Sequence, residues 1–377
     1  MRVVLARVGR LVAVMFVVAT AAYFLMQMLP GDPARTVVGA EGTPEQYEQV
    51  RRQLGLDKPI LGRYVDWLDG LVHGDLGSSL VPPVQSVADM IAARLPVTLE
   101  LAALAIVIAL AIAVPVALLA SYHEGGMFDR TSSTIAFGLI SVPSFVLALG
   151  LVILLVFNPD YVRVPVVVAS VWVAGRLTWK TLRAAGGYPH GRPRRMHLGK
   201  GLGGAAALIL LASILWAVWP DFPRQGFVRL SDGGPVENLR SILVPALSLA
   251  LIEAAVFMRV LRGDLTQTLK EDFVLSAKAK GMPAHRVLTR DALRPSSFSI
   301  VTVAGVALGQ LLGGTVIIET IFNLPGMGSM LIDAIYGNDY SVVLGGVLVI
   351  ALVYVTLNAV VDAGYFYLDP RVRRGRG

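Results

Sequence analysis

The sequence predicts an all-α polytopic membrane protein, and three observations predict it. The 377-residue chain is 55% hydrophobic and only 16% charged, against about 25% charged in ordinary soluble domains. Apolar runs of roughly 20 residues, enough to cross ~30 Å of hydrocarbon, recur along it. Its basic residues, which leave a net charge of +7, gather in a few segments between those runs, as orientation signals do. The charge therefore gives no ground for a nucleic-acid partner. The absence of cysteine removes disulfides, iron–sulfur clusters and thiol catalysis.

Residues 1–29 read as a cytoplasmic N-terminus and a first span. Arg2, Arg7 and Arg10 precede the apolar run 11–28. That run is long and no A-x-A-type site precedes a mature start, so a retained anchor fits better than a cleaved signal peptide. Residues 30–96 read as an exterior loop with more acidic than basic residues. Within it, "TPEQYEQVRRQLG" predicts a surface helix: Thr43 as N-cap, Pro44 at the first helical position, Gln46 closing a capping box and Gly55 ending it. "HGDLGSSL" carries His73, Gly74, Asp75, Leu76 and Gly77 and predicts a turn-rich loop, because its glycines permit positive φ. Packing against the mouth of the bundle and docking of an extracytoplasmic partner are both open for it.

Residues 97–157 hold the second and third apolar runs, 97–120 and 136–157. Residues 158–220 read as an inserted helical hairpin built from 162–179 and 203–219. From residue 175 to 200 runs a basic stretch that overlaps the end of the first piece, with Arg176, Lys180, Arg183, Arg192, Arg194, Arg195 and Lys200 and no acidic residue. Lys/Arg-rich loops stay inside, so both hairpin helices are expected to span. Residues 221–377 supply three further runs, 241–260, 299–322 and 343–362, with a basic loop at 261–298 and a basic C-terminus. The total is eight spans, with both termini cytoplasmic and the chain in the cell's plasma or inner membrane.

The loop 261–298 has internal order. Residues 271–280 have the composition of a helix, and Ala277 and Ala279 are small enough for close approach by another surface. Gly281 suits a left-handed cap and Pro283 the first turn of a second helix. That helix places Arg286, Arg290 and Arg294 on one face and Ala284, Val287, Leu288 and Ala292 on another. An apolar face on a polar loop calls for a partner.

The stretch "SAKAKG" with Gly281, followed by Leu293, resembles the cytoplasmic signature loop of ABC-transporter permeases: EAA, three residues, Gly, nine residues, then I-x-L-P. Leu275, Ser276 and Ala277 stand at the EAA positions and only Ala277 matches. Asp291, Leu293 and Arg294 stand at the I, L and P positions and only Leu293 matches. The form "A-x-A-K-G … R-x-A-L-R" resembles the dipeptide/oligopeptide/nickel branch. "LPGDP", "QLGLDKP", "HGDLGSS", "LPVTLEL", "ETIFNLPGMG" and "LNAVVDAGYFYLDPRVR" extend the resemblance, in order, over nearly the whole chain except 159–219. That insert departs from the six-span family pattern.

The resemblance implies the first of two half-pores in a heterodimeric, ATP-driven importer of short peptides. It implies as partners a second permease subunit, one or two ATPase subunits and an extracytoplasmic substrate-binding protein. The implied ATPase-coupling residues are Ser276, Ala277, Lys278, Ala279, Lys280, Gly281, Pro283, Arg286, Arg290 and Leu293. No G-x-x-x-x-G-K-[ST] loop occurs in the chain, so ATP and Mg are expected on the separate ATPase subunits, with no cofactor or metal held here. The chain is not expected to be an enzyme: its five histidines are scattered, with no H-E-x-x-H and no G-x-S-x-G. A secondary transporter would show inverted repeats, and no repeat is evident. Nickel, glutathione and haem are alternative cargoes within the branch.

Gly305, Gly309 and Gly313 recur every four residues, a spacing that lets helices approach closely in lipid. They read as a packing seam or as a pore face shared with the second permease. Glu100, Glu253, Arg259, Glu319 and Asp362 lie in or near spans. Glu253 is the deepest; pairing with a polar group on another helix is the expectation, and contact with the substrate path the alternative.

Overall fold

The computed structural model describes residues 2–28, 31–39, 42–186 and 222–368. The described residues are helical apart from turns and one isolated bridge between Ser78 and Ser86. The helices are α1 (Arg2–Met28), α2 (Pro33–Val38), α3 (Pro44–Gln53), α4 (Ile60–Val72), α5 (Val87–Tyr122) and α6 (Met127–Ser141). Next come α7 (Ser144–Leu151), which runs into a π-helical turn at Val152–Phe157, α8 (Asp160–Gly186) and α9 (Leu230–Thr268). The remainder are α10 (Asp272–Ala279), α11 (Ala284–Arg286), α12 (Leu293–Gly314), α13 (Val316–Phe322), α14 (Met327–Tyr336) and α15 (Tyr340–Leu368).

Two compact units divide the chain. One comprises Met1–Phe145, Gln225–Phe227 and Pro245–Gly377; the other comprises Val146–Arg224 and Val228–Val244. In the second unit, Asn238 Nδ2 donates to the Val228 carbonyl (3.0 Å), and the Val228 amide donates to Ser241 Oγ (3.2 Å). Arg224 sits over the Phe157 ring, 4.6 Å from its centre.

Five helices among the described residues are long and apolar enough to cross a membrane, or up to seven if two bent pairs each count as one span. The expected runs at 11–28, 97–120, 241–260 and 343–362 all fall inside such helices. The other two need correction. Run 136–157 is not one helix. Pro143 lacks an amide and disfavours helical backbone at the residue before it, and Val142 is extended (φ −94°, ψ 128°). Run 299–322 ends at Gly314; α13 and α14 then form a pair bent by 86°. Residues 323–342, between two of the expected runs, therefore include helix α14. In the insert, 162–179 is helical within α8, but α8 is not among the helices apolar enough to span. Arg176, Lys180 and Arg183, read as loop, fall on that helix. The second insert piece, 203–219, lies outside the described residues, as do Arg192, Arg194, Arg195 and Lys200.

The core of the first unit is built on close approach. Along α5, Ala102, Ala105, Ala109, Ala113, Ala117 and Ala120 are all fully buried. Small residues in a line let neighbouring helices near the backbone, which is the main source of packing in lipid. The glycine series divides. A Cβ on Gly305 would overlap Val361, and one on Gly309 would lie 2.9 Å from the Tyr354 ring, both on α15 of the same chain; Gly313 faces open space. Gly305 and Gly309 are thus occupied by intrachain packing. Overpacking such a seam costs about 1–3 kcal/mol. Gly305→Leu should lower the thermal unfolding midpoint of the detergent-purified chain, whereas Gly313→Ala should leave it within error; equal midpoints would contradict the seam.

Candidate functional site

The segment between α9 and α12 folds as two helical pieces around a glycine corner. Glu271 has extended backbone (φ −70°, ψ 147°) and starts α10. At the far end the Gly281 amide donates to the Lys278 carbonyl (2.9 Å) and the Met282 amide to the Ala277 carbonyl (3.2 Å). This pair of bonds is a Schellman cap and demands a left-handed residue at its corner; Gly281 supplies it with φ +76°. Pro283 (φ −66°, ψ 141°) is the N-cap of α11, one position earlier than expected.

The second piece is not a separate short helix. It passes through a π-helical turn at Val287–Ala292 directly into α12. The wide turn changes the phase of the buried face. Val287, Ala292, Ser296 and Ile300 are buried, so the spacing is five across the turn and four thereafter. Of the expected apolar face, Val287 and Ala292 are buried, Leu288 is half-buried and Ala284 is exposed. Arg286, Arg290 and Arg294 are all exposed, and Leu293 is half-buried.

That apolar face is satisfied within the chain. Val274, Ala277 and Val287 form a small core, with Leu269 and Met282 packed on it. Ala277 is therefore turned inward, which corrects its reading as part of a free surface. Opposite Val274 and Ala277, the outward face of α10 carries Leu275, Ser276 and Ala279, and Phe273 flanks the buried side; Phe273 and Leu275 are each 50% exposed, and Lys278, Lys280, Gly281 and Pro283 are also exposed. A Cβ on Gly281 would meet nothing within 4 Å.

Ion pairs tie this segment's surroundings to the turn between α5 and α6. Lys270 reaches Glu124 at 3.2 Å. Buried Asp129 pairs with Arg262 through both carboxylate oxygens, one of them at 2.7 Å from Arg262 Nη2, and also accepts the Gly125 amide at 2.9 Å. A groove of roughly 460 Å³ lies at the Lys270–Glu124 pair, lined by both of these and by Tyr122, His123, Lys278, Met282 and Leu288 among others. Asp264 and Asp291 each bury one carboxylate oxygen that has no hydrogen-bond partner among the described residues. The Asp129–Arg262 pair was not singled out by sequence; Arg259, which was, lies over the Phe137 ring at 4.3 Å.

Glu319 is the other feature that sequence placed only at a span edge. It is completely buried. Its Oε1 accepts from Thr98 Oγ1 (2.7 Å) and Thr315 Oγ1 (3.0 Å), and its Oε2 accepts the Ser329 amide (3.0 Å). Thr98 Oγ1 in turn accepts the Met327 amide at 2.8 Å. One carboxylate thus joins α5, α13 and α14 at the bend. "NLPGMG" is shaped to it: a Cβ on Gly326 would strike the carboxylate, and one on Gly328 would strike Val316 on α13 and crowd the carboxylate at 3.0 Å.

At the same end of the first unit, "HGDLGSSL" packs on the bundle through its second half. Gly74 and Gly77 have φ of +81° and +83°. Leu76 packs against the core around Val87 and Met327, and Ser79 Oγ and the Leu80 amide donate to buried Asp339 at 2.5 and 3.0 Å. His73, Gly74 and Asp75 stay exposed. The surface helix is capped as expected: Thr43 Oγ1 accepts the Gln46 amide and Gln46 Oε1 accepts the Thr43 amide. Glu253 is half-buried, and the expected pairing is absent: no hydrogen bond or ion pair joins it to another described residue.

The chain matches two family models in succession. Residues 1–102 match the N-terminal membrane component of binding-protein-dependent transport systems, and residues 113–374 match the binding-protein-dependent transport system inner membrane component. Relatives cover 98% of this chain and 98% of their own length. One is a dipeptide transport system permease protein of Escherichia coli K12, 31% identical over 371 residues. Another is a di/tripeptide transport system permease protein of Pseudomonas aeruginosa, 31% identical over 377 residues.

Removing the Glu319 carboxylate strands two hydroxyls and an amide and leaves a void. Losses of that kind cost on the order of 3 kcal/mol. Glu319→Ala should therefore sharply lower the thermal midpoint in detergent, and Glu319→Gln, which keeps the volume and an acceptor oxygen, should lower it less. Equal, small shifts would show that the carboxylate does not hold the bend.

Proposed function

Because the chain belongs to the binding-protein-dependent transport system inner membrane component family, we propose that it is the permease subunit of an ATP-driven importer of short peptides and forms half of the translocation path. The relatives' names for dipeptide and di/tripeptide transport support that cargo. The family is a membrane component rather than a catalytic subunit. A second permease, ATPase subunits and an extracytoplasmic binding protein complete the proposed assembly, with both termini and α10 on the cytoplasmic side.

The observation that carries the coupling reading is the outward face of α10. Phe273 and Leu275 are half exposed on a helix whose other face already has its core. Covering the remaining surface of each would contribute about 1 kcal/mol. The Schellman corner fixes the direction of α10, and the Asp129–Arg262 and Lys270–Glu124 pairs tie its base to the α5–α6 turn. A push on α10 then moves the bundle rather than bending a loose loop. ATP drives the cycle by binding the two states of the assembly unequally.

Gly281 gives the test. A side chain there is strained by about 1–2 kcal/mol at positive φ and projects off the docking face. In proteoliposomes holding the whole assembly, Gly281→Leu should insert normally yet import at least tenfold more slowly. Gly281→Asn, which tolerates the left-handed conformation, separates backbone strain from obstruction by retaining the corner with a smaller side chain. Normal import by Gly281→Leu would overturn the coupling assignment.

A further inference from the structure

Helix α4 has three faces, and only one is accounted for by the fold. Tyr64 and Trp67 turn inward onto the first span. Tyr64 lies 5.2 Å from Tyr23 and 5.4 Å from Phe24 between ring centres, and Trp67 lies 5.2 Å from Tyr23. The polar face carries Gly62, Asp66, Asp69 and His73; Asp66 pairs with Lys58 at 2.7 Å. Between these two runs a third face, Leu61, Val65, Leu68 and Val72, at i, i+4, i+7 and i+11. Leu61 is 68% exposed, Val65 61% and Val72 82%. An exposed apolar stripe of this regularity is not a scatter of single surface residues.

Its depth says what covers it. The Tyr64 hydroxyl is 2.6 Å from Thr20 Oγ1, and Arg63 Nη2 donates to Gln27 at 3.1 Å. Thr20 and Gln27 belong to the 18-residue span Leu11–Met28. At 1.5 Å per residue that span is about 27 Å long, close to the hydrocarbon thickness, and the α1 residues that α4 touches, Thr20, Tyr23, Phe24 and Gln27, lie from about 12 Å to about 2 Å inside its end, centred roughly 7 Å in. A helix held against those residues sits at the depth of the acyl–headgroup boundary, where amphipathic helices bury their apolar face ~5–10 Å. Tyr64 and Trp67 suit the same level. The stripe is also continuous in character with α1, which exposes Phe16, Val17, Phe24, Leu25 and Met28 as a lipid-facing surface.

We propose that α4 is an interfacial helix that lies in the leaflet at the C-terminal end of the first span, with Leu61, Val65, Leu68 and Val72 dissolved in lipid and Asp66 and Asp69 at the water side. The 31–86 segment is then seated on the membrane surface by its own helix.

The chain contains no cysteine, so single spin labels can be placed cleanly. Labels at 61, 65 and 72, and at 62, 66 and 69, would be read in the full chain reconstituted in phosphatidylcholine–phosphatidylglycerol liposomes. Collision with oxygen should exceed collision with a water-soluble nickel chelate at least severalfold at 61, 65 and 72, and the order should reverse at 62, 66 and 69. Access by the nickel chelate at 61, 65 and 72 would overturn the proposal in favour of a face open to a soluble partner. Exclusion of both colliders there would overturn it in favour of a protein neighbour.

Discussion

A helix that breaks among other helices in a membrane strands backbone groups that no water can reach. Glu319 resolves that constraint for the bend between α13 and α14. Its two oxygens gather Thr98, Thr315 and the Ser329 amide, while Thr98 holds the Met327 amide. The buried carboxylate ties the bend together, Gly326 leaves it room, and Gly328 lets α14 pass close to Val316. Met327, whose amide Thr98 holds, also belongs to the core on which Leu76 packs.

The same helix that contributes Thr98 ends, at Tyr122, beside the α10 segment. Helix α5 is 36 residues long, about 54 Å. Near one end it is fixed by Glu319. Just beyond the other, the Glu124–Lys270 and Asp129–Arg262 pairs fix the turn that follows it. Its buried alanine line keeps it close to its neighbours throughout. In the proposed importer α5 is the member shared by the coupling segment and the bent pair, so a displacement at α10 has a well-packed route across the bundle.

Much of this was legible in the sequence, and the failures have physical reasons. The Gly281 corner, the Thr43 capping box and the positive φ of Gly74 and Gly77 were readable because each depends on local backbone chemistry. The long spans were readable because hydropathy is additive along a run. What the sequence hid were consequences of tertiary packing. Ala277 looks the same whether its small side chain meets a partner or Val274 and Val287. Glu319 looks like a span-end charge until Thr98, 221 residues away, is placed beside it. The break at Val142–Pro143 could have been caught: an apolar run of sufficient length was allowed to outweigh a proline whose effect on the preceding residue is known. The π turn at Val287–Ala292 has no comparable local signature.

The central claim is that the outward face of α10, not its buried face, meets the proposed ATPase subunit. Single cysteines introduced from 272 to 281 in the assembled transporter, each tested for short-range cross-linking to that subunit, address it directly. Cross-links should peak at Leu275, Ser276 and Ala279 and be lost at Val274 and Ala277. Cross-links centred on Val274 and Ala277, or none anywhere along the helix, would contradict the account.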